Sequence, residues 1–297
     1  MKCNVCFIPN SFDFKSTVEE LTEQFAEASA LVGKMSSDFV QFSKSADFDN
    51  TLALAICSRT SEVGHIYSAA YDRHMSSTVK LEQDEAAVLA IANQVPPELD
   101  GRWVTLYSSK GRDVLTSNPR QTIRSEKDLV AFCSSILIEN IPMNEDVAAQ
   151  SFRNIYQNLE FRTDESEKKL LFNRLSKFDA SYESYIKSIT SSLEAMNHYD
   201  LIPDDSLKNI DRLNALLPVS VTPEGKGKSN RGVDELKRDF YIKGSRYEKV
   251  NCEYHCKFEY ADGLSTSGKP KSNRLYFGFL KLDGKTKIAV AHIGEHW

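Results

Sequence analysis

Apolar residues recur with two different periods along this chain, and the period changes near residue 218. Before that point helical spacing dominates. Residues 2–8 read as a short strand. The run Ser16-Thr17-Val18-Glu19 has the form of a capping box. Behind it, Val18, Leu21, Phe25, Ala28, Leu31 and Val32 share one helical face, which predicts a helix to about Phe42. Residues 51–57 fit a strand or a helix, and 61–75 are equally ambiguous. A helix over 82–94 should stop at Pro96-Pro97. Residues 103–108 and 114–117 read as a hairpin around Lys110-Gly111. Ser125 and Asn144 are N-cap candidates for two further helices, the second reaching about Leu159. More helices are expected over 165–177 and 180–197, and a short one begins at Asp205, with Leu207, Ile210, Leu213 and Leu216 on one face.

Residues 218–232 carry two prolines and three glycines and no hydrophobic period, which reads as a flexible basic connector. Beyond it the pattern alternates. Strands are expected over 238–242 and 247–260 around a turn at Lys243-Gly244. A loop rich in Gly, Ser and Lys follows over 261–273. A hairpin over 274–297 closes the chain around Asp283-Gly284, a dipeptide suited to positive φ. The resulting expectation is an α+β chain. A mostly helical regulatory or interaction domain over 1–217 contains a small sheet element. The connector follows over 218–232, and a small basic antiparallel β domain occupies 233–297.

Composition adds little except through charge. The 297 residues are 41% hydrophobic and contain no apolar run of the roughly 20 residues that span a bilayer. The first ten residues are too short and polar for a signal peptide, so a cytoplasmic protein without a membrane partner is expected. The net charge of -5 conceals an asymmetry: residues 219–297 hold 15 Lys/Arg against 10 Asp/Glu, and the preceding ones 22 against 32. A basic end on an acidic body fits an anionic partner such as nucleic acid. It equally fits two parts that neutralise each other.

The chemistry concentrates at the basic end. Along a strand, side chains alternate faces. Cys252, Tyr254, Cys256 and Phe258 would therefore face a core, and His255 and Lys257 would project together on the other side, with Asn251, Glu253 and Glu259. The register of the terminal hairpin decides whether Arg274 joins His292. A two-residue turn at Asp283-Gly284 places Leu275 opposite His292, with Arg274 and His292 on opposite faces; a longer turn reverses the parity. His296 can reach back over the sheet edge after Gly294. Cleavage of RNA by its own 2′-hydroxyl needs a base, an acid for the 5′-oxygen and cations for the phosphate. His255, His292 and His296 are candidates for the proton transfers, and Lys257 and Arg274 for the cations. Lys226, Lys228, Arg231, Lys269 and Lys271 could track a nucleic-acid backbone. The structural alternative is a solvated sheet face with His292 as a satisfied core histidine.

This short basic sheet with its terminal hairpin resembles the RelE/ParE-type toxin domains of bacterial toxin–antitoxin systems. The ending Ala-His-Ile-Gly-Glu-His-Trp, with Arg-Leu-Tyr-Phe and His-Cys-Lys-Phe upstream, also resembles uncharacterised bacterial defence-associated proteins. The resemblance covers about the last 60 residues. It implies a toxin or antiviral-defence hydrolase, an RNA-binding nuclease with basic residues on its sheet and a His or Tyr near its end. It also implies an antitoxin or a neighbouring-gene protein as partner. The long N-terminal part departs from the single small domain of those toxins. A non-enzymatic nucleic-acid- or protein-binding subunit of a defence complex is the alternative. A metal-dependent DNA nuclease lacks its usual carboxylate signature.

The remaining signals are weaker. Cys3-x-x-Cys6, with Cys252, His255 and Cys256, invites a zinc reading, but strand alternation points the members of each pair apart. Buried thiols and no metal are expected. His65, Tyr71, Asp72 and His74 read as a local polar network. Asp204 and Asp205 read as a helix cap. No nucleotide-binding or hydrolase motif is present, and no cofactor is expected.

Overall fold

The computed structural model describes residues 1–59, 63–112, 121–163, 181–224, 236–263 and 270–297. The chain divides into two compact units, Met1–Ile136 and Leu137–Trp297. This boundary lies upstream of the connector expected over 218–232, of which 218–224 are described.

In the first unit β1 (Lys2–Phe7) is followed by α1 (Val18–Met35), β2 (Val40–Lys44), α2 (Phe48–Cys57), α3 (Val63–Ala70), α4 (Arg73–Ser76) and β3 (Val79–Lys80). Then come α5 (Glu85–Ala92), β4 (Glu98–Leu99), β5 (Arg102–Tyr107), β6 (Thr122–Ile123) and α6 (Glu126–Glu139), which crosses the unit boundary. The sheet order is β3-β2-β1-β5, all parallel. Along the outer edge of β5, β4 pairs antiparallel and β6 parallel. The chain moves outward from β1 to β3 and then returns to the other side of β1, so the order reverses between β1 and β5.

This sheet is larger than the small element expected. Parallel strands covered on both faces lose the alternation that marks a strand. In β1 only Lys2 is exposed, and in β5 the residues after Arg102 are all buried. The expected helix to Phe42 stops at Met35. The box that starts it uses Thr17, whose side chain accepts from Glu20 N while Glu20 Oε2 accepts from Thr17 N. Beyond Ser36 the chain re-enters the sheet as β2. The ambiguous 51–57 belong to α2. The second arm of the hairpin expected at 114–117 lies outside the described residues. Phe12 stacks on Phe25 with ring centres 4.4 Å apart, and Phe7 meets Tyr107 edge-on at 5.2 Å, so an aromatic cluster fills the space beneath α1.

In the second unit, α7 (Glu145–Ile155) precedes the two-residue strand β7 (Glu160–Phe161). A 3-10 turn (Tyr182–Tyr185) leads into α8 (Ile186–Asn197), and α9 (Ser206–Leu216) follows. Asn144 and Asp205 cap α7 and α9 as expected. The helix expected over 165–177 lies outside the described residues. The β-rich part comprises β8 (Val221–Pro223), β9 (Lys237–Ile242), β10 (Ser245–Asn251), β11 (Tyr254–Phe258), β12 (Asn273–Leu282) and β13 (Lys285–Glu295). One sheet runs β7-β13-β12-β11-β8, and β9 and β10 form a separate hairpin.

The broad succession from helix-rich to strand-rich chain matches the expected α+β layout. The sheets are mixed rather than antiparallel throughout, because β7 joins β13 in parallel. The single strand expected over 247–260 is broken at Cys252-Glu253, which separates β10 from β11. Both turn dipeptides have the expected geometry. Lys243 and Gly244 lie at φ 50° and 78°, and Asp283 and Gly284 at 49° and 75°. The β9–β10 hairpin packs Phe240, Ile242 and Val250 against Leu280, Leu282 and Ala289 of the terminal hairpin.

The loop after β11 ties this sheet to α8. Asp262 accepts from the backbone N–H of Lys187 at 2.7 Å and of Ser188 at 3.1 Å. A remote carboxylate thus supplies the cap that Tyr185, in the N-cap position, does not. Asp262→Ala should lower unfolding stability by about 1 kcal/mol. An unchanged urea midpoint would show that the cap is redundant.

Candidate functional site

The site is built by strand register. The Asp283-Gly284 turn sets Leu282 opposite Lys285, and pairing continues regularly to Phe277 opposite Val290. There a bulge intervenes, and Tyr276 pairs with His292 rather than Ala291. The extra residue reverses the parity that a two-residue turn alone would impose. Arg274 and His292 therefore share a face.

Pairing across β8, β11, β12 and β13 then sets Thr222, His255, Tyr276 and His292 in one transverse row. The neighbouring row is Lys257, Arg274 and Gly294. Gly294 adds no side chain beside the guanidinium. After β13 the chain folds back, so that Trp297 stacks on Tyr276 at 4.4 Å with an interplanar angle of 10°. The Arg238 guanidinium covers the Trp297 ring at 4.0 Å. Each contact contributes about 1 kcal/mol, which holds the terminal residues against the row.

At the centre lies Glu224, which the sequence reading passed over as part of the connector. It directly follows β8, and its backbone N–H donates to Glu253 O at 2.8 Å. Its side chain is only 13% exposed, with Oε2 3.3 Å from the Tyr276 hydroxyl and 3.5 Å from His255 Nδ1. Its Oε1 lies 3.5 Å from His296 Nε2. The spacing signal that could have found it is the alternation Val221, Thr222, Pro223, Glu224, a short strand-like run ending in an acid.

The histidines differ in environment. His255 is 4% exposed, and Thr222 Oγ1 lies 3.2 Å from its Nε2. Its Nδ1 is near the Glu224 carboxylate but makes no hydrogen bond. Burial, opposed by Glu224 and assisted by Arg274 and Lys257, lowers its pKa to about 4. It is therefore neutral near pH 7. His292 is also buried, and its Nε2 donates to Glu295 O at 2.8 Å, the satisfied core position weighed as the structural alternative. His296 is the accessible one, with 32% of its side chain exposed. Its Nδ1 donates to the Trp297 carbonyl at 2.7 Å, which turns Nε2 toward Glu224.

Arg274 donates through one terminal nitrogen to Asn273 O at 2.8 Å, while its Nε is buried without a hydrogen-bond partner. Burial lowers its pKa, against the attraction of Glu259 and Glu224. A buried donor left unsatisfied costs about 1–3 kcal/mol. Lys257 is half-buried beside it. Of the expected backbone-tracking residues, Lys271 is half-buried and precedes β12. Lys226, Lys228, Arg231 and Lys269 lie outside the described residues.

The other sequence signals resolve as local structure. All six cysteines are free thiols, and only Cys57 is exposed. Burial pushes the Cys6 and Cys252 thiols up to about 12. Among the described residues no group of three metal-ligating side chains converges. Asp72 accepts from Met75 N at 2.8 Å to cap α4 and from the Ser29 hydroxyl, and Tyr71 donates to Asp49 at 3.2 Å. Among the described residues no helix is long and apolar enough to cross a membrane.

The buried neutral His255 has a consequence for stability. Its folded pKa of about 4 lies below the unfolded value near 6.5, so the unfolded chain binds more protons between them. Its stabilising contribution is complete above pH 6.5 and is lost as pH falls toward 4. The loss is on the order of 3 kcal/mol. His255→Gln should flatten the fall in melting temperature between pH 7, above this window, and pH 5, within it. An equally steep fall in the variant would contradict a buried neutral imidazole.

Comparison with protein-family models, curated proteins and solved structures found no match.

Proposed function

We propose that the second unit is a metal-independent ribonuclease, acting as an effector of the bacterial toxin or antiviral-defence type. The observation that carries this reading is the convergence of Glu224 and His296 beside Arg274 and Lys257. A carboxylate and an imidazole side by side supply the two side-chain types that can serve as base and acid. Their 3.5 Å separation is longer than a strong hydrogen bond, and the two side chains part for a phosphodiester to lie between them.

Glu224 accepts the proton of the 2′-hydroxyl, and the 2′-oxygen attacks the adjacent phosphorus. The bond to the 5′-oxygen breaks, and His296 delivers its proton to that oxygen. The products are a 2′,3′-cyclic phosphate and a free 5′-hydroxyl. Arg274 and Lys257 neutralise the charge that gathers on the phosphorus oxygens.

His255 and Tyr276 are positioning residues: both face Glu224, the Tyr276 hydroxyl donates to its carboxylate, and the neutral His255 spares it a competing charge. His292 supports Tyr276 and Trp297 from the core, with ring centres at 6.1 Å and 5.1 Å.

Inducible expression in bacteria, read as growth and total RNA integrity, tests this reading. Wild type should arrest growth with RNA cleavage, and a His296→Ala variant of equal solubility should do neither. Arrest by both proteins, or intact RNA with both, would overturn it.

A further inference from the structure

The first unit contains a cleft of about 540 Å³ that the ribonuclease reading does not use. It lies between α1, the end of β5 and the start of α6, at the carboxyl ends of β5 and β6. Clefts in open parallel sheets gather at the carboxyl ends of the strands, because the loops there diverge where strand order reverses. Here the order reverses between β1 and β5. The volume falls within the roughly 300–1,000 Å³ of small-molecule sites.

Its lining has two chemical parts. Ala30, Leu31 and the Tyr107 ring give an apolar floor, and Lys34, Lys110 and Arg124 give a cationic rim. Glu126 offsets one cation through its ion pair with Lys34 at 2.6 Å. Glu27 adds an acceptor close enough to Tyr107 to help burial hold its phenol protonated. An apolar floor suits a planar ring. Cations at the rim suit phosphate. A carboxylate beside a phenol suits the hydroxyl groups of a sugar.

We propose that this cleft binds a mononucleotide, its base on Leu31 and Tyr107 and its phosphate at Lys110 and Arg124. The glycine fingerprint of dinucleotide sites is missing after β1, where the chain reads Ile8-Pro9-Asn10-Ser11. The proposal stands independently of RNA cleavage by the second unit.

The test is calorimetric titration of the full chain with AMP, ATP, adenosine and inorganic phosphate. The nucleotides should bind at least about tenfold more tightly than adenosine or phosphate. Lys110 and Ala30 are both exposed, so substitutions there spare the fold. Lys110→Ala should weaken the nucleotides about tenfold and leave adenosine unchanged. Ala30→Trp fills the cleft and should abolish binding of both. Absence of nucleotide binding would overturn the proposal, as would binding unaffected by Ala30→Trp. Phosphate binding as tight as that of AMP would also overturn it, by showing a surface anion site.

Discussion

Glu224→Gln is expected to reduce RNA cleavage by about 100- to 10,000-fold with no loss of fold. The substitution keeps the shape of the side chain and removes its negative charge. An amide cannot take the proton of a 2′-hydroxyl, and it no longer faces His296 as an anion. The Tyr276 hydroxyl can still donate to the amide oxygen, so the packing of the row should survive. The effect should lie in the rate of the chemical step and leave RNA affinity nearly unchanged, because Arg274 and Lys257 remain. A single-turnover assay separates the two quantities. A variant that cleaves at the wild-type rate would remove Glu224 from the chemistry. One that binds RNA far more weakly at an unchanged step rate would make it a binding residue instead.

Gly278→Ala is expected to unfold the second unit or make it insoluble. A Cβ built at this position of β12 lies 2.2 Å from Asn251 O and 3.0 Å from Asn251 C. Both are backbone atoms of β10, so no side-chain rotation relieves the overlap. The β9–β10 hairpin would have to lift from the terminal hairpin, opening the contacts of Phe240, Ile242 and Val250 with Leu280 and Leu282. Overpacking alone costs about 1–3 kcal/mol, and a clash with main chain exceeds that range. The same substitution at Gly101, in the first unit, meets no atom within 4 Å, although its φ of 73° adds local strain. It should lower stability by about 1 kcal/mol. Thermal melts of the two variants side by side make the comparison. Equal melting temperatures would contradict the close approach of β10 to Gly278.

Parts of this architecture were legible because local chemistry specifies them. Lys243-Gly244 and Asp283-Gly284 take the positive φ pairs that tight hairpins require, and Asn144 and Asp205 cap the helices they precede, whereas the box expected at Ser16 and Glu19 forms one residue later. The parallel sheet of the first unit was obscured because strands buried on both faces have no polar face to mark them. The placement of Arg274 with His292 turned on one bulged residue, Ala291, and nothing in the run Ala289-Val290-Ala291 signals a bulge. Glu224 was hidden for another reason. Its neighbours Pro223 and Gly225 read as connector, yet Val221–Pro223 pairs along β11 and carries the carboxylate beside His255. Tertiary pairing, which a single sequence does not display, sets this part of the site.

The second unit is proposed to cleave RNA through the RNA's own 2′-hydroxyl. The most direct measurement compares one RNA with its fully 2′-O-methylated counterpart, each incubated with the full chain in the presence of a metal chelator. The RNA should be cut to fragments ending in 2′,3′-cyclic phosphate while the methylated strand stays intact. An uncut RNA, or equal cleavage of both strands, would contradict it.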